Sequence, residues 1–283
     1  MPRTDGRLSL KFEYDPAVQC TRLQVIEQRQ PLKVVRAFAL DGGGALVHLH
    51  NLSGGVLAGD QLSLEIDVDA GATAQITSTS ATRIYRSGPE ARQAEFVTHV
   101  RIRENALLEY LPDPMIPFAG ARYSQRTVVH LTDGAGLFWW ETLAPGREAR
   151  GEVFSYDTVH LSFELRAGNL PLAIEHSDLR PAVRPLTSLA RLGPYHHLST
   201  FYICRAGVAE SSWFNLEKQL LDIAERISSP VIIWGLARLP AHGLVVRALS
   251  QNNRDIARGL IAFWRVAKQV LYGRDAVMPR KIY

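Results

Sequence analysis

The chain has 283 residues, 46% apolar and 21% charged, which describes a globular protein long enough to bury a core in one large or two small domains. Its net charge of +4 comes from 32 basic residues, 27 of them Arg, against 28 acidic ones, without the clustered basic runs of a nucleic-acid binder. Two distant cysteines, Cys20 and Cys204, exclude a disulfide scaffold or a CxxC metal knuckle and fit a reducing, cytoplasmic setting.

The opening residues lack the hydrophobic core of a secretory signal, so none is expected. The longest apolar stretches, such as 231–237 and 259–264, fall short of the ~20 residues a membrane helix needs, so no membrane association is expected. The first strong pattern is Gln61–Asp69, where Leu62, Leu64, Ile66 and Val68 alternate with polar residues as in a half-buried strand. It turns at Ala70-Gly71-Ala72 and returns through Ser78. The same unit recurs three times. Residues 96–103 turn at Glu104-Asn105-Ala106 and return as 107–111. Residues 128–131 turn at Asp133–Gly136 and return as 137–143. Residues 159–165 turn at Ala167-Gly168-Asn169 and return as 170–175, and an earlier copy centres on Gly42-Gly43-Gly44. Turn centres at 43, 71, 105, 135 and 168 are spaced by 28, 34, 30 and 33 residues. This period predicts an all-β fold of elongated, stacked β-hairpins, β-solenoid-like, in preference to a sandwich of evenly spaced hairpins.

Beyond Pro181 the pattern changes, and Ser177–Pro194 reads as a long connection with three prolines. Residues 213–227 carry Leu216, Leu220, Ile223, Ala224 and Ile227 at helical spacing. A strand is expected at 244–249. A last helix, capped by Asn252 or Asn253 and closed by Gly273, carries Ile256, Leu260, Phe263 and Ala267 on one face. The β-rich body thus spans about 8–180 and the helix-containing part about 181–283, within one domain covering 1–283.

Few motifs carry chemistry. His48 and His50 share one side of a segment expected to be a strand and are weak metal candidates, because no third ligand lies near in sequence. His196-His197 reads as a solvated pair. Ser53–Asp60 is glycine-rich but lacks the GK[ST] ending and leads into a strand, so a tight turn or close backbone approach explains it better than phosphate binding. GxSxG, HExxH and Walker sequences are absent. Glu141 shares a strand face with Leu137, Trp139 and Leu143, and Glu109 with Leu107 and Leu111. Inward-facing, both would be buried carboxylates needing a partner or water. Arg83 or Arg122 would supply simple ion pairs.

The ordered blocks resemble a known family. Gly54–Leu62 looks like the GG(I/L)xxGDxL signature of the urease accessory protein UreD (UreH) family. Ala70-Gly71-Ala72 with Thr77–Ser87, Leu108–Pro112, Phe118–Arg122, Val245–Arg247 and the helix around Trp264 follow in family order. Asp113-Pro114-Met115 and Ser80 depart from the usual pattern. The match runs over about residues 10–280. The resemblance implies an elongated all-β fold with a few helices and no enzyme activity. It implies a scaffold or chaperone that joins UreF and the GTPase UreG, docks on apo-urease and passes nickel to it, with no tightly bound cofactor. Its water-filled tunnel would be lined by Glu109 and Glu141, and by Asp60 and Glu175 from their alignment positions. Binding of nickel by the free protein should be weak and multi-site, with His48 and His50 as lesser candidates. Trp213, Phe263 and Trp264 are candidate anchors for UreF. The readings set against this are a glycoside-active β-solenoid enzyme and a β-sheet binding module of another assembly.

Overall fold

In the three middle sequence units, turning at 71, 105 and 135, the two arms enter different sheets. The computed structural model describes residues 4–88 and 90–279. The chain opens with β1 (Asp5–Asp15), β2 (Cys20–Arg29), β3 (Leu32–Lys33), β4 (Ala37–Leu40) and β5 (Gly44–Asn51). The repeating part follows as β6 (Gln61–Val68), β7 (Thr73–Ser78), β8 (Thr82–Ile84), β9 (Ala94–Ile102), β10 (Leu107–Tyr110), β11 (Met115–Pro117), β12 (Arg122–Leu131) and β13 (Gly136–Leu143). Then come β14 (Thr158–Ala167), β15 (Leu170–Leu179), β16 (His197–Arg205), α1 (Glu210–Ile227), β17 (Ile232–Arg238), β18 (Gly243–Ser250) and α2 (Asn253–Tyr272).

The first sheet has the order β15-β14-β12-β9-β6-β1-β2, and the second runs β17-β18-β16-β13-β10-β7-β5-β3. In the first, β1, β6, β9, β12 and β14 are mutually parallel, and antiparallel β2 and β15 close the edges. In the second, β5, β7, β10 and β13 are parallel, while β16, β18 and β17 add on antiparallel.

This overturns the all-β stack of hairpins. β6 and β7 bond not to each other but to the equivalent arms of the next unit, so each of the three middle turns is an arch between sheets. The arches bond in series: Gly71 N donates to Glu104 O, and Asn105 N to Asp133 O. Of the five expected turns, those at Gly43 and Gly168 do close hairpins, β4–β5 and β14–β15. The protein is mixed α/β, with two mixed sheets and two helices. Period-2 alternation is the same for a hairpin arm and an arch arm, so the sequence pattern does not separate them.

Burial explains the layers. The first sheet alternates cleanly, Leu62, Leu64, Ile66 and Val68 pointing inward while Glu65 and its neighbours face water. Its inward residues pack against Ile76, Leu108, Leu137 and Trp139 of the second sheet. The second sheet is buried on both faces, as its near-continuous apolar run Leu137-Phe138-Trp139-Trp140 requires. Its far face, with Phe138, Trp140, Phe201 and Val246, is covered by Trp213, Leu216 and Leu220 of α1 and by Leu260, Phe263 and Trp264 of α2. α2 is capped at its start by Asn252, whose side chain accepts from Asp255 N, and at its end by Gly273 in the left-handed region. Gly259 is required there: a Cβ would lie 2.1 Å from the Trp234 ring. Among the described residues no helix is long and apolar enough to cross a membrane.

Candidate functional site

The second sheet carries two acidic side chains on opposite faces. Glu109, on β10, faces the helices and is fully buried. Trp264 Nε1 donates to its Oε1 at 2.7 Å, and Lys268 Nζ and Gln75 Nε2 donate to Oε2 at 2.9 and 3.1 Å. Lys268 is itself only 6% exposed. The carboxylate is thus matched in charge and bonded on both oxygens. Its counter-ion is Lys268 rather than Arg83 or Arg122. Arg122 instead donates to the backbone carbonyls of Gly88 and Ala91.

Glu141, on β13, faces the first sheet. Gln125 Nε2 donates to its Oε1 at 2.7 Å, and the Tyr123 hydroxyl donates in turn to Gln125 Oε1 at 3.0 Å. Among the described residues no cation pairs with it. Burial raises its pKa from the ordinary 4.5 to about 7, the Gln125 amide and the Trp139 indole oppose the shift, and the Glu175 charge adds to it. Glu141 and Glu175 line a cavity of about 70 Å³ between the sheets, together with Trp139, Thr200 and Tyr202. That is room for several waters. The Trp139 Nε1 and Tyr202 hydroxyl are buried near Glu141 and Glu175, and among the described residues neither makes a well-formed hydrogen bond, the pattern of polar atoms served in part by solvent or a ligand.

A second inter-sheet cavity, about 120 Å³, lies under the glycine-rich turn and is lined by Gly54, Gly55, Ser78, Thr82, His50 and Tyr110. Tyr110 stacks on Trp139 with ring centroids 3.9 Å apart. Because Tyr110 lines one cavity and Trp139 the other, this stack stands between them. Gly55 permits a close approach: a Cβ there would lie 2.4 Å from Arg83 O. Asp60 is buried, and its Oδ2 accepts from Leu57 N at 2.8 Å, bracing the same turn. Burial raises its pKa. Its side chain lines neither of these two cavities.

His48 is buried against Phe38, and His50 reaches the larger cavity, where burial and the neighbouring His48 lower its pKa. Among the described residues no three His, Cys, Asp or Glu side chains group to hold a metal. His196 and His197 are not a solvated pair: His197 is 3% exposed, and both face Glu148, at 3.3 and 3.5 Å. The expected interface anchors Trp213, Phe263 and Trp264 are 4%, 0% and 0% exposed. They hold the helices to the sheet and present no surface to a partner.

Sequence reasoning missed Lys268, Gln125, Tyr202 and Arg247. Lys268 carried no reading of its own, Arg247 entered only as the end of the Val245–Arg247 block with no role assigned, and β16, which carries Tyr202, gave no distinctive signal.

The fold and site define a layered protein with two chambers between its sheets, one of them lined by two carboxylates. Residues 4–282 match the family described as UreD urease accessory protein. The chain is 45% identical to the urease accessory protein UreD of Herpetosiphon aurantiacus over 284 residues, covering 100% of this chain and 98% of that one. It is 28% identical to UreD of Bacillus sp. (strain TB-90), over 88% of this chain and 89% of the relative. It is also 28% identical to UreD of Actinomyces naeslundii, over 98% and 99%. The chain belongs to the UreD urease accessory protein family, and it is an accessory protein of urease maturation rather than an enzyme.

Proposed function

We propose that this protein acts in the cytoplasm as a scaffold that, with UreF and UreG, docks on apo-urease and passes nickel toward its active site through the inter-sheet layer. The observation that carries the reading is Glu141: a carboxylate held between two sheets without a cation among the described residues, sharing a cavity with a second carboxylate, Glu175, and with the Trp139 indole and Tyr202 hydroxyl close to the two acids. Partly buried and without a cation, such a group holds a proton near neutral pH or gives it up to a cation that enters the cavity.

The chemistry suits passage better than storage. Nickel is held firmly by imidazole and thiolate sites, whereas two carboxylates and water make a weak, exchangeable set. Glu141 and Glu175 would replace part of a hydrated ion's shell and then release it. His50, at the other cavity, is a lesser contact, with His48 behind it. Movement between the chambers would require the Tyr110–Trp139 stack to shift. Glu109 holds α2 to the sheet, and Asp60 acts first on the glycine-rich turn.

The test is co-expression of wild type, Glu141→Ala and Asp60→Ala with the urease subunits, UreF and UreG, followed by pull-down and metal analysis. The wild type should co-purify with UreF, UreG and apo-urease. Glu141→Ala should keep that complex and lower the nickel content of the urease. Asp60→Ala should lower it too, with some loss of stability. Full nickel loading with both variants would overturn the passage reading, and loss of the complex would assign these acids a structural role.

A further inference from the structure

The cavity beside Glu141 is flanked by a cation of the protein's own. Arg247, on β18, stands in register with Thr200 of β16, which is in register with Glu141. Arg247 Nη2 donates to Glu175 Oε1, on β15 of the opposite sheet. The Arg247 side chain is 54% exposed and that of Glu175 30%, so this pair bridges the sheets at the solvent edge of the cavity. Tyr202 is 2% exposed and lines the same cavity. Its hydroxyl lies within electrostatic reach of Glu175, Arg247 and Glu141 but forms no well-made bond to any of them.

We propose that Arg247 is a displaceable counter-ion: it holds Glu175 in the cation-free protein, and an entering divalent cation takes that carboxylate while the guanidinium swings outward into water. This rests on the reading of the cavity as a cation passage. The guanidinium remains charged at every working pH, so its competition for Glu175 is permanent. Its exposed head and long stem make the outward movement inexpensive. When Arg247 returns to Glu175 it opposes rebinding, which favours hand-over instead of capture. Arg247 is therefore a positioning residue that sets how loosely the cavity holds its cargo. Two ligands competing for one carboxylate are coupled, and removal of one should tighten the other by roughly tenfold.

The experiment is titration calorimetry of the full-length chain with NiCl2, with a thermal melt of each variant as a check on folding. Arg247→Gln should bind nickel about tenfold more tightly than wild type. Arg247→Lys, which keeps the charge, should stay near wild type, and Arg247→Gln combined with Glu175→Gln should lose the gain. Should Arg247→Gln melt early, Arg247→Met, which keeps the apolar stem, carries the same expectation. Unchanged or weaker binding in the neutral Arg247 variants, with binding weakened by Glu141→Gln and Glu175→Gln, would overturn the counter-ion role and leave the cavity reading standing. A titration insensitive to Glu141→Gln and Glu175→Gln would overturn the cavity reading, and the counter-ion role with it.

Discussion

Glu109 and Glu141 lie on adjacent strands of one sheet and have opposite fates. Toward the helices, Glu109 meets a lysine, an indole N–H and an amide, all buried with it. Toward the first sheet, Glu141 meets one well-formed amide bond, a nearby indole and a small cavity, with no cation among the described residues. A fully matched buried carboxylate is part of the architecture, and breaking it leaves a stranded charge. A half-matched one is a standing cost that the fold tolerates, and such costs concentrate at functional positions. The contrast teaches that burial alone does not mark a site: the partners do.

The largest effect expected from this contrast is at Glu109. Glu109→Ala leaves Lys268 buried without its counter-ion and should cost about 3–5 kcal/mol in denaturant unfolding. A loss below about 1 kcal/mol would mean that the pair is not the fastener proposed here.

Next comes the pH dependence set by Glu141. Its folded pKa is raised from 4.5 to about 7. Between those values the native state retains a proton that the unfolded chain has released. This contribution to stability is therefore full at low pH and falls as pH rises through the window. Glu141→Gln removes the penalty, so above pH 7 it should stabilise the protein by about 2–3 kcal/mol, and below pH 4 it should change little. Unfolding curves at pH 4 and pH 8 for both proteins check this. A pH-independent difference would place the effect in packing rather than in charge.

Two smaller changes bracket the comparison. Asn252 caps the helix that carries Trp264 and Lys268 to Glu109, and Asn252→Ala should cost about 1 kcal/mol by thermal or denaturant melting. On the wet face of the first sheet Arg103 bridges Asp67 and Asp69, half exposed. Arg103→Ala should stay within about 0.5 kcal/mol, and less in high salt.

Parts of this molecule were legible in its sequence. The alternation of Leu62, Leu64, Ile66 and Val68 gave β6, and the spacing of Ile256, Leu260, Phe263 and Ala267 gave the buried face of α2, because each records one buried side. Glu141 also stood out, sharing a parity with Leu137, Trp139 and Leu143. What could not be read was which layer each parity faced. In a sheet buried on both faces, odd and even positions are equally apolar, so Glu109 and Glu141 looked alike. The partners that separate them, Lys268 at 159 residues' distance and Gln125 on the other sheet, come together only through the arches. The arches themselves escaped because their turns at Gly71, Asn105 and Gly134 carry the same left-handed residues a hairpin would use.

The most direct test of this account is the thermal midpoint at pH 8 of Glu109→Gln and Glu141→Gln, each against the wild type. Two substitutions of the same kind, on adjacent strands of one sheet, should move the midpoint in opposite directions. Glu109→Gln should lower it by stranding Lys268, and Glu141→Gln should raise it by removing an uncompensated charge. A midpoint lowered by both would contradict the division between a matched structural carboxylate and a half-matched one kept for cargo.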